Sequence, residues 1–179
     1  MSVPTADLVL VHGWASRPSV WSGVAPDLER RFRLTVATLP GYGGDAGIPR
    51  SATDLAQWLQ SRTPAGAVWL VWSTAALPAV LLAGGPRPHI ASLNVVAGVV
   101  RFTRAQGWPA GSAPSVVDEF RAALRDDPRA LLHRFARLVF PGREGRQVAA
   151  RFVAEFLEGG VPVDALDAGL VMLGESDVR

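Results

Sequence analysis

Short apolar runs that stop at turn residues recur four times in the first hundred residues, and helical periodicity fills the gaps between them. The run 8–12 ends in His12-Gly13-Trp14, and 32–39 ends in Pro40-Gly41-Tyr42-Gly43-Gly44. The run 67–72 ends at Ser73, and 90–96 ends just before Gly98. Short continuous apolar runs bounded by turn residues suit strands buried on both faces. Between them, 19–31 carries Val20, Trp21, Val24 and Leu28 at helical spacing. Residues 51–62 carry Leu55, Trp58 and Leu59 behind a capping Ser51 or Thr53, and 74–83 is a helix of small and apolar residues. This alternation predicts an α/β fold, a parallel sheet with helices on both faces. Such sheets place their sites outside the carboxyl ends of the strands. His12, Gly41, Ser73 and Gly98 all fall there.

After residue 100 the pattern changes. A Gly/Pro/Ser loop at 107–114 precedes three amphipathic helices at 116–125, 128–140 and 146–157, with no strand between them. Pro128 suits a first helical turn. A weaker helix at 161–173 follows. The expected organisation is a sheet-bearing core over 1–100, a helical lid over 101–160 and a return segment over 161–179. No internal repeat or low-complexity tract interrupts it.

Composition narrows the function classes. At 179 residues the chain is one domain or most of one, and 49% hydrophobic residues can build a real core. No apolar run is long enough to span a bilayer. The opening Met1-Ser-Val-Pro-Thr-Ala-Asp7 has no basic n-region, so no signal peptide is expected. Without cysteine there is no disulfide framework or thiolate metal site. These features fit a cytoplasmic protein. Every basic residue is arginine, and the arginines are unevenly spread. Between Arg101 and Arg151 ten arginines face five acids, an excess of +5, whereas eight arginines against eleven acids leave −3 elsewhere. No aromatic-interleaved basic platform accompanies the excess, so nucleic acid is not the expected partner. No His/Asp/Glu cluster has metal-ligand spacing. Gly41-Tyr-Gly-Gly44 lacks the residues that follow a phosphate-binding loop, so no cofactor is expected.

Ser73 is the candidate nucleophile. A serine hydroxyl reacts when a tight strand-to-helix turn exposes it and a base meets it. The turn usually reads Gly-x-Ser-x-Gly; here it reads Val71-Trp72-Ser73-Thr74-Ala75, and branched Val71 should crowd it. An ordinary helix cap is the competing reading of Ser73. Gly13 lets the chain turn so that the Trp14 N–H faces the crevice, and the Thr74 N–H would be a second donor to a developing oxyanion. One such donor contributes on the order of 3 kcal/mol. His12 reads as structural. His89 precedes a strand and belongs at the opposite end of the sheet, and His133 sits on a lid helix. Asp164 and Asp167 read as surface charge, and Asp177 stands two residues from the end with nothing to fix it. An acid and a base are therefore missing from the sequence pattern.

The chain resembles the α/β-hydrolase superfamily, and within it the pimeloyl-acyl-carrier-protein methyl ester esterases of biotin biosynthesis. The resemblance rests on Leu10-Val-His-Gly-Trp14, Val20-Trp21, Leu39-Pro-Gly-Tyr-Gly43, Val68-Trp-Leu-Val-Trp-Ser73, Ala91-Ser-Leu-Asn-Val-Val-Ala97, and Asp126-Asp127 through Arg134-Phe135. It implies a carboxylic-ester hydrolase in which Ser73 is the nucleophile. Trp14 and Thr74 form the oxyanion hole, and Trp14 also lines the substrate channel. Arg134 and Arg146 match lid arginines that receive an acidic acyl carrier protein bearing a pimeloyl methyl ester. Arg129 and Arg151 each stand one position from the family's other two, so they are substitutes at most. The family's catalytic Asp and His lie downstream of the lid, and the chain stops where the lid returns to the sheet. The expectation is a C-terminally incomplete hydrolase with its final strands missing, inactive or feeble alone. Two alternatives stay open: a non-catalytic hydrolase-like module that binds an acidic partner, and a general small-ester hydrolase. Retention of Ser73 argues for chemistry; Val71 and the absent base argue for binding.

Overall fold

The computed structural model describes residues 6–43, 47–158, 160 and 162–179. Gly44, Val161 and the Met1–Thr5 opening, which entered the sequence reading, lie outside the described residues. In the first half β1 (Ala6–Val11), α1 (Ala25–Glu29), β2 (Phe32–Ala37), α2 (Ala52–Gln60), β3 (Ala67–Trp72), α3 (Ala76–Ala83) and β4 (Ile90–Val96) alternate. The strands form one parallel sheet in the order β2-β1-β3-β4. β1 and β3 are central, and register runs Leu8↔Val68 through Val11↔Val71. On one face Val9, Val11, Trp69 and Val71 are fully buried in one cluster with Leu55 and Leu59 of α2 and Leu77 of α3. On the other, Leu8 and Leu10 pack on Trp21. Each such side chain withdrawn from water favours the fold by about 1.5–3 kcal/mol, which is why the apolar runs take the central positions.

Local chemistry sets the element ends. Ser51, not Thr53, caps α2: its Oγ accepts the Asp54 N–H at 3.0 Å. The third and fourth strands match their expected bounds, and the second stops two residues early at Ala37. The single helix expected over 19–31 is instead a 3-10 turn at Pro18–Trp21 followed by the short α1. Pro26 stands in the first turn of α1. A proline there lacks the N–H that would continue an earlier helix, but it is well suited to starting a new one. β4 is an edge strand with its outer side bare, and Val95 and Val96 are 43% and 48% exposed.

The second half holds α4 (Pro114–Asp126), α5 (Pro128–Val139), α6 (Gly142–Glu158) and α7 (Val163–Glu175). Asp127 caps α5 through Oδ1, which accepts the Ala130 N–H at 2.9 Å, with Pro128 in the first turn. These helices sit over the carboxyl ends of the strands. The Trp14 indole meets Phe120 of α4 and Phe135 of α5 edge to face and donates Nε1–H to the Leu166 carbonyl of α7 at 2.8 Å. Trp72 meets Phe152 of α6 in the same way. The last residues return to the start of the helical half: Arg101 and Asp177 form an antiparallel bridge, and the Val178 N–H donates to the Val100 carbonyl. No helix among the described residues is long and apolar enough to cross a membrane.

Candidate active site

Ser73 leaves β3 in a left-handed conformation, with φ +58°. For a residue with a Cβ this costs on the order of 1–3 kcal/mol and persists only where the surroundings enforce it. Those surroundings are tight. A Cβ on Gly13 would lie 2.8 Å from the Ser73 Cβ, and one on Gly98 would lie 3.0 Å from the Ser73 carbonyl oxygen and 2.6 Å from the Ala76 Cβ. Both glycines are therefore fixed by close approach. Val71, expected to crowd the turn, is fully buried in β3 between Val11 and Val95, and Ala75 is buried just beyond the serine. The strained serine survives without either glycine of the usual motif.

The half-buried Ser73 borders a cavity of about 320 Å³ together with Trp14 and Thr74. Its walls are almost entirely apolar and include Val117, Phe120, Phe135 and Leu170 of the helices above the sheet. A cavity of this kind suits an aliphatic chain. The Trp14 and Thr74 segments are joined directly, because the Trp14 backbone N–H donates to the Thr74 Oγ1 at 3.0 Å. The structure thus brings Ser73, Trp14 and Thr74 together at one cavity wall.

The histidines are elsewhere or engaged. His12 is fully buried, and its Nε2 accepts the Leu39 N–H at 3.1 Å. The proton must therefore sit on Nδ1, which donates to the Gly13 carbonyl at 3.0 Å. Burial pushes its pKa down to about 4. His12 staples the end of β1 to the segment after β2. His89 contacts Thr63 Oγ1 and the edge of Trp69 at the amino end of β4, as expected. His133 is exposed on α5, and no histidine lines the cavity. Among the described residues no cluster of three His, Cys, Asp or Glu is placed to hold a metal ion.

Several contacts escaped the sequence reading. Arg17 donates to the Tyr42 carbonyl and to the Phe156 and Gly160 carbonyls at the end of α6, clamping the segment after Trp14 to the helices. The buried Tyr42 hydroxyl accepts the Ala15 N–H at 3.2 Å. Asp167 makes a two-pronged pair with Arg121 at 2.8 and 2.9 Å, and this hydrogen bonding holds its carboxyl below the usual range. Asp177 is also fixed, by Arg179 and Arg101, which lower its pKa in that order. Partners brought close only by folding carry no short-range sequence signal.

Arg129 and Arg134 are exposed on α5, and Arg146 and Arg151 on α6, which packs beside it. The Arg134 guanidinium carbon lies 5.2 Å from the centre of the Phe120 ring. Arg151 is tied to Glu155 at 2.6 Å. Among the described residues Arg129, Arg134 and Arg146 pair with no acid.

No protein-family model matches the chain. It is 36% identical over 176 residues to the pimeloyl-[acyl-carrier protein] methyl ester esterase of Pectobacterium carotovorum, covering 97% of this chain and 69% of the relative. Similarity to the enzyme of that name from Edwardsiella ictaluri is 36% over 176 residues, covering 97% and 68%. Among solved structures, an esterase from Exiguobacterium antarcticum superposes with a TM-score of 0.84 at 20% identity, covering 99% of this chain and 69% of that one. An enol-lactonase from Burkholderia xenovorans does so at 0.75 and 16%, covering 98% and 67%. At those identities the structures speak for the fold alone. The parallel sheet, the left-handed serine at its carboxyl edge and the identity shared across nearly the whole chain lead to one assignment: the chain belongs to the α/β-hydrolase superfamily, in the family of pimeloyl-[acyl-carrier protein] methyl ester esterases.

Proposed function

We propose that Ser73 is the nucleophile of a methyl ester hydrolase acting on an acyl chain delivered by an acyl carrier protein in the cytoplasm. The observation that carries the reading is the half-buried Ser73, held at φ +58° on the wall of an apolar cavity. In the proposed reaction Ser73 Oγ bonds to the ester carbonyl carbon. The Trp14 and Thr74 N–H groups receive the negative charge on the carbonyl oxygen, methoxide leaves, and the serine proton returns to it as methanol. Water then cleaves the acyl-serine bond and releases the carboxylic acid. The pimeloyl chain would lie in the cavity, residues 101–160 would act as the lid, and Arg134 and Arg146, with Arg129 and Arg151 as weaker candidates, would face the acidic carrier. With no histidine on the cavity wall, the proton leaving Ser73 reaches the departing methoxide through water rather than through a side chain, which slows turnover.

That same lack of a base supports a second reading, a hydrolase-like module that binds an acidic partner without chemistry. A fluorophosphonate probe separates the two. Adduct formation at Ser73, absent in Ser73→Ala, supports the nucleophile. An unlabelled Ser73 in a folded chain that still binds an acidic carrier protein supports the binding module. Comparable labelling and hydrolysis of short carrier-free esters would instead favour a general small-ester hydrolase.

A further inference from the structure

An oxyanion hole works when its donors stand about 2.7–3.1 Å from the place the substrate oxygen will occupy. The Trp14 N–H already has an oxygen at that distance, and it belongs to the protein: Thr74 Oγ1, at 3.0 Å. Both groups are buried, and both border the apolar cavity beside Ser73. A backbone N–H carries one hydrogen, so a second acceptor competes with the first. Nothing in the local sequence requires this contact. Trp14 and Thr74 are 60 residues apart, and the contact forms only when the ends of β1 and β3 come together.

We propose that the Thr74 hydroxyl is a built-in stand-in for the substrate oxygen, capping the Trp14 amide until a ligand displaces it. The inference rests on the oxyanion role proposed above for Trp14. When the site is empty, the cap satisfies a buried donor that would otherwise be orphaned at a cost to the fold. When an acyl oxygen enters, the Thr74 side chain must rotate about χ1 and give up the bond. The ligand therefore gains one hydrogen bond only by breaking another. A charged oxygen wins this exchange more readily than a neutral one, because charge-assisted hydrogen bonds are the stronger. The cap thus lowers the affinity of the site for any acyl oxygen, and only an oxygen that outcompetes the Thr74 hydroxyl reaches the Trp14 amide. The Thr74 backbone N–H remains the second donor throughout.

The test uses the whole chain and hexanoate, a carboxylate whose tail fits an apolar cavity and whose head mimics the product. In Thr74→Ala the cap is gone. The Trp14 amide loses hydrogen-exchange protection without ligand, and hexanoate shifts its 1H–15N resonance at about tenfold lower concentration than in the parent chain. Thr74→Ser keeps a hydroxyl and behaves like the parent, which separates capping from packing. Unchanged Trp14 protection in a folded Thr74→Ala chain, or hexanoate binding no tighter than the parent's, overturns the proposal. Failure of Ser73 to react with the fluorophosphonate counts against the hydrolase reading instead. The exchange measurement on the unliganded chain reports on the cap in either case.

Discussion

His12 makes the fold sensitive to mild acid. Its ring is fully buried, both nitrogens are committed to backbone groups, and one must remain an acceptor for the Leu39 N–H. Protonation would turn that acceptor into a donor facing another donor, in a site with no counter-charge. Burial is the main reason its pKa falls from 6.5 to about 4, and the nearby Arg17 charge adds to it. Above pH 6.5 the ring is neutral in both folded and unfolded chains, and stability is complete. As pH falls toward 4 the unfolded chain takes up a proton that the folded chain refuses, so stability declines. Below about 4 both forms are protonated and this loss is finished. The full difference is worth about 3 kcal/mol, of which about 2 kcal/mol is gone by pH 5. The lowered carboxylates Asp7, Glu155 and Asp167 start from 3.8 to 4.5, so they contribute little to the change above pH 5. Urea unfolding followed by tryptophan fluorescence between pH 7 and pH 5 measures the effect. His12→Gln retains an amide oxygen for Leu39 but has nothing to titrate. Although less stable at pH 7, it should show a nearly flat profile where the parent falls by about 2 kcal/mol. Parallel profiles, or an imidazole in the folded chain that titrates near 6.5 by NMR, would refute the reasoning.

Gly13→Ala places a methyl 2.8 Å from the Ser73 Cβ and 3.1 Å from the Trp72 carbonyl. The expected cost is about 1–3 kcal/mol in urea unfolding, with fluorophosphonate labelling of Ser73 reduced about tenfold because the Gly13–Trp14 segment must move; labelling at the parent rate would show that the two segments are not coupled. Reversing the charge of two exposed arginines, Arg134→Glu with Arg146→Glu, should abolish salt-sensitive binding of an acidic carrier protein in titration calorimetry. Unchanged affinity would remove these helices from the docking surface.

Much of this architecture is local and was legible in the chain. Strands 67–72 and 90–96 announce themselves because a strand buried on both faces needs a continuous apolar run, and Ser73 follows the third run with no residue between. The segment 19–31 misleads because its apolar spacing is helical throughout, whereas in the folded chain Pro26, which has no N–H to donate, starts a new helix. His12 reads as structural from the chain, and its two hydrogen bonds give what the sequence does not, the groups it staples together.

Periodicity and turn chemistry depend on neighbours a few residues apart, so order along the chain was enough to establish the sheet, its helical cover and the serine at the carboxyl end of β3. The Thr74 hydroxyl on the Trp14 amide, the Arg17 clamp and the Arg121–Asp167 pair join residues 25 to 143 positions apart. Such contacts depend on which side chains converge once the core has closed. No local preference encodes that convergence, and so the electrostatics of the site emerged only with the fold.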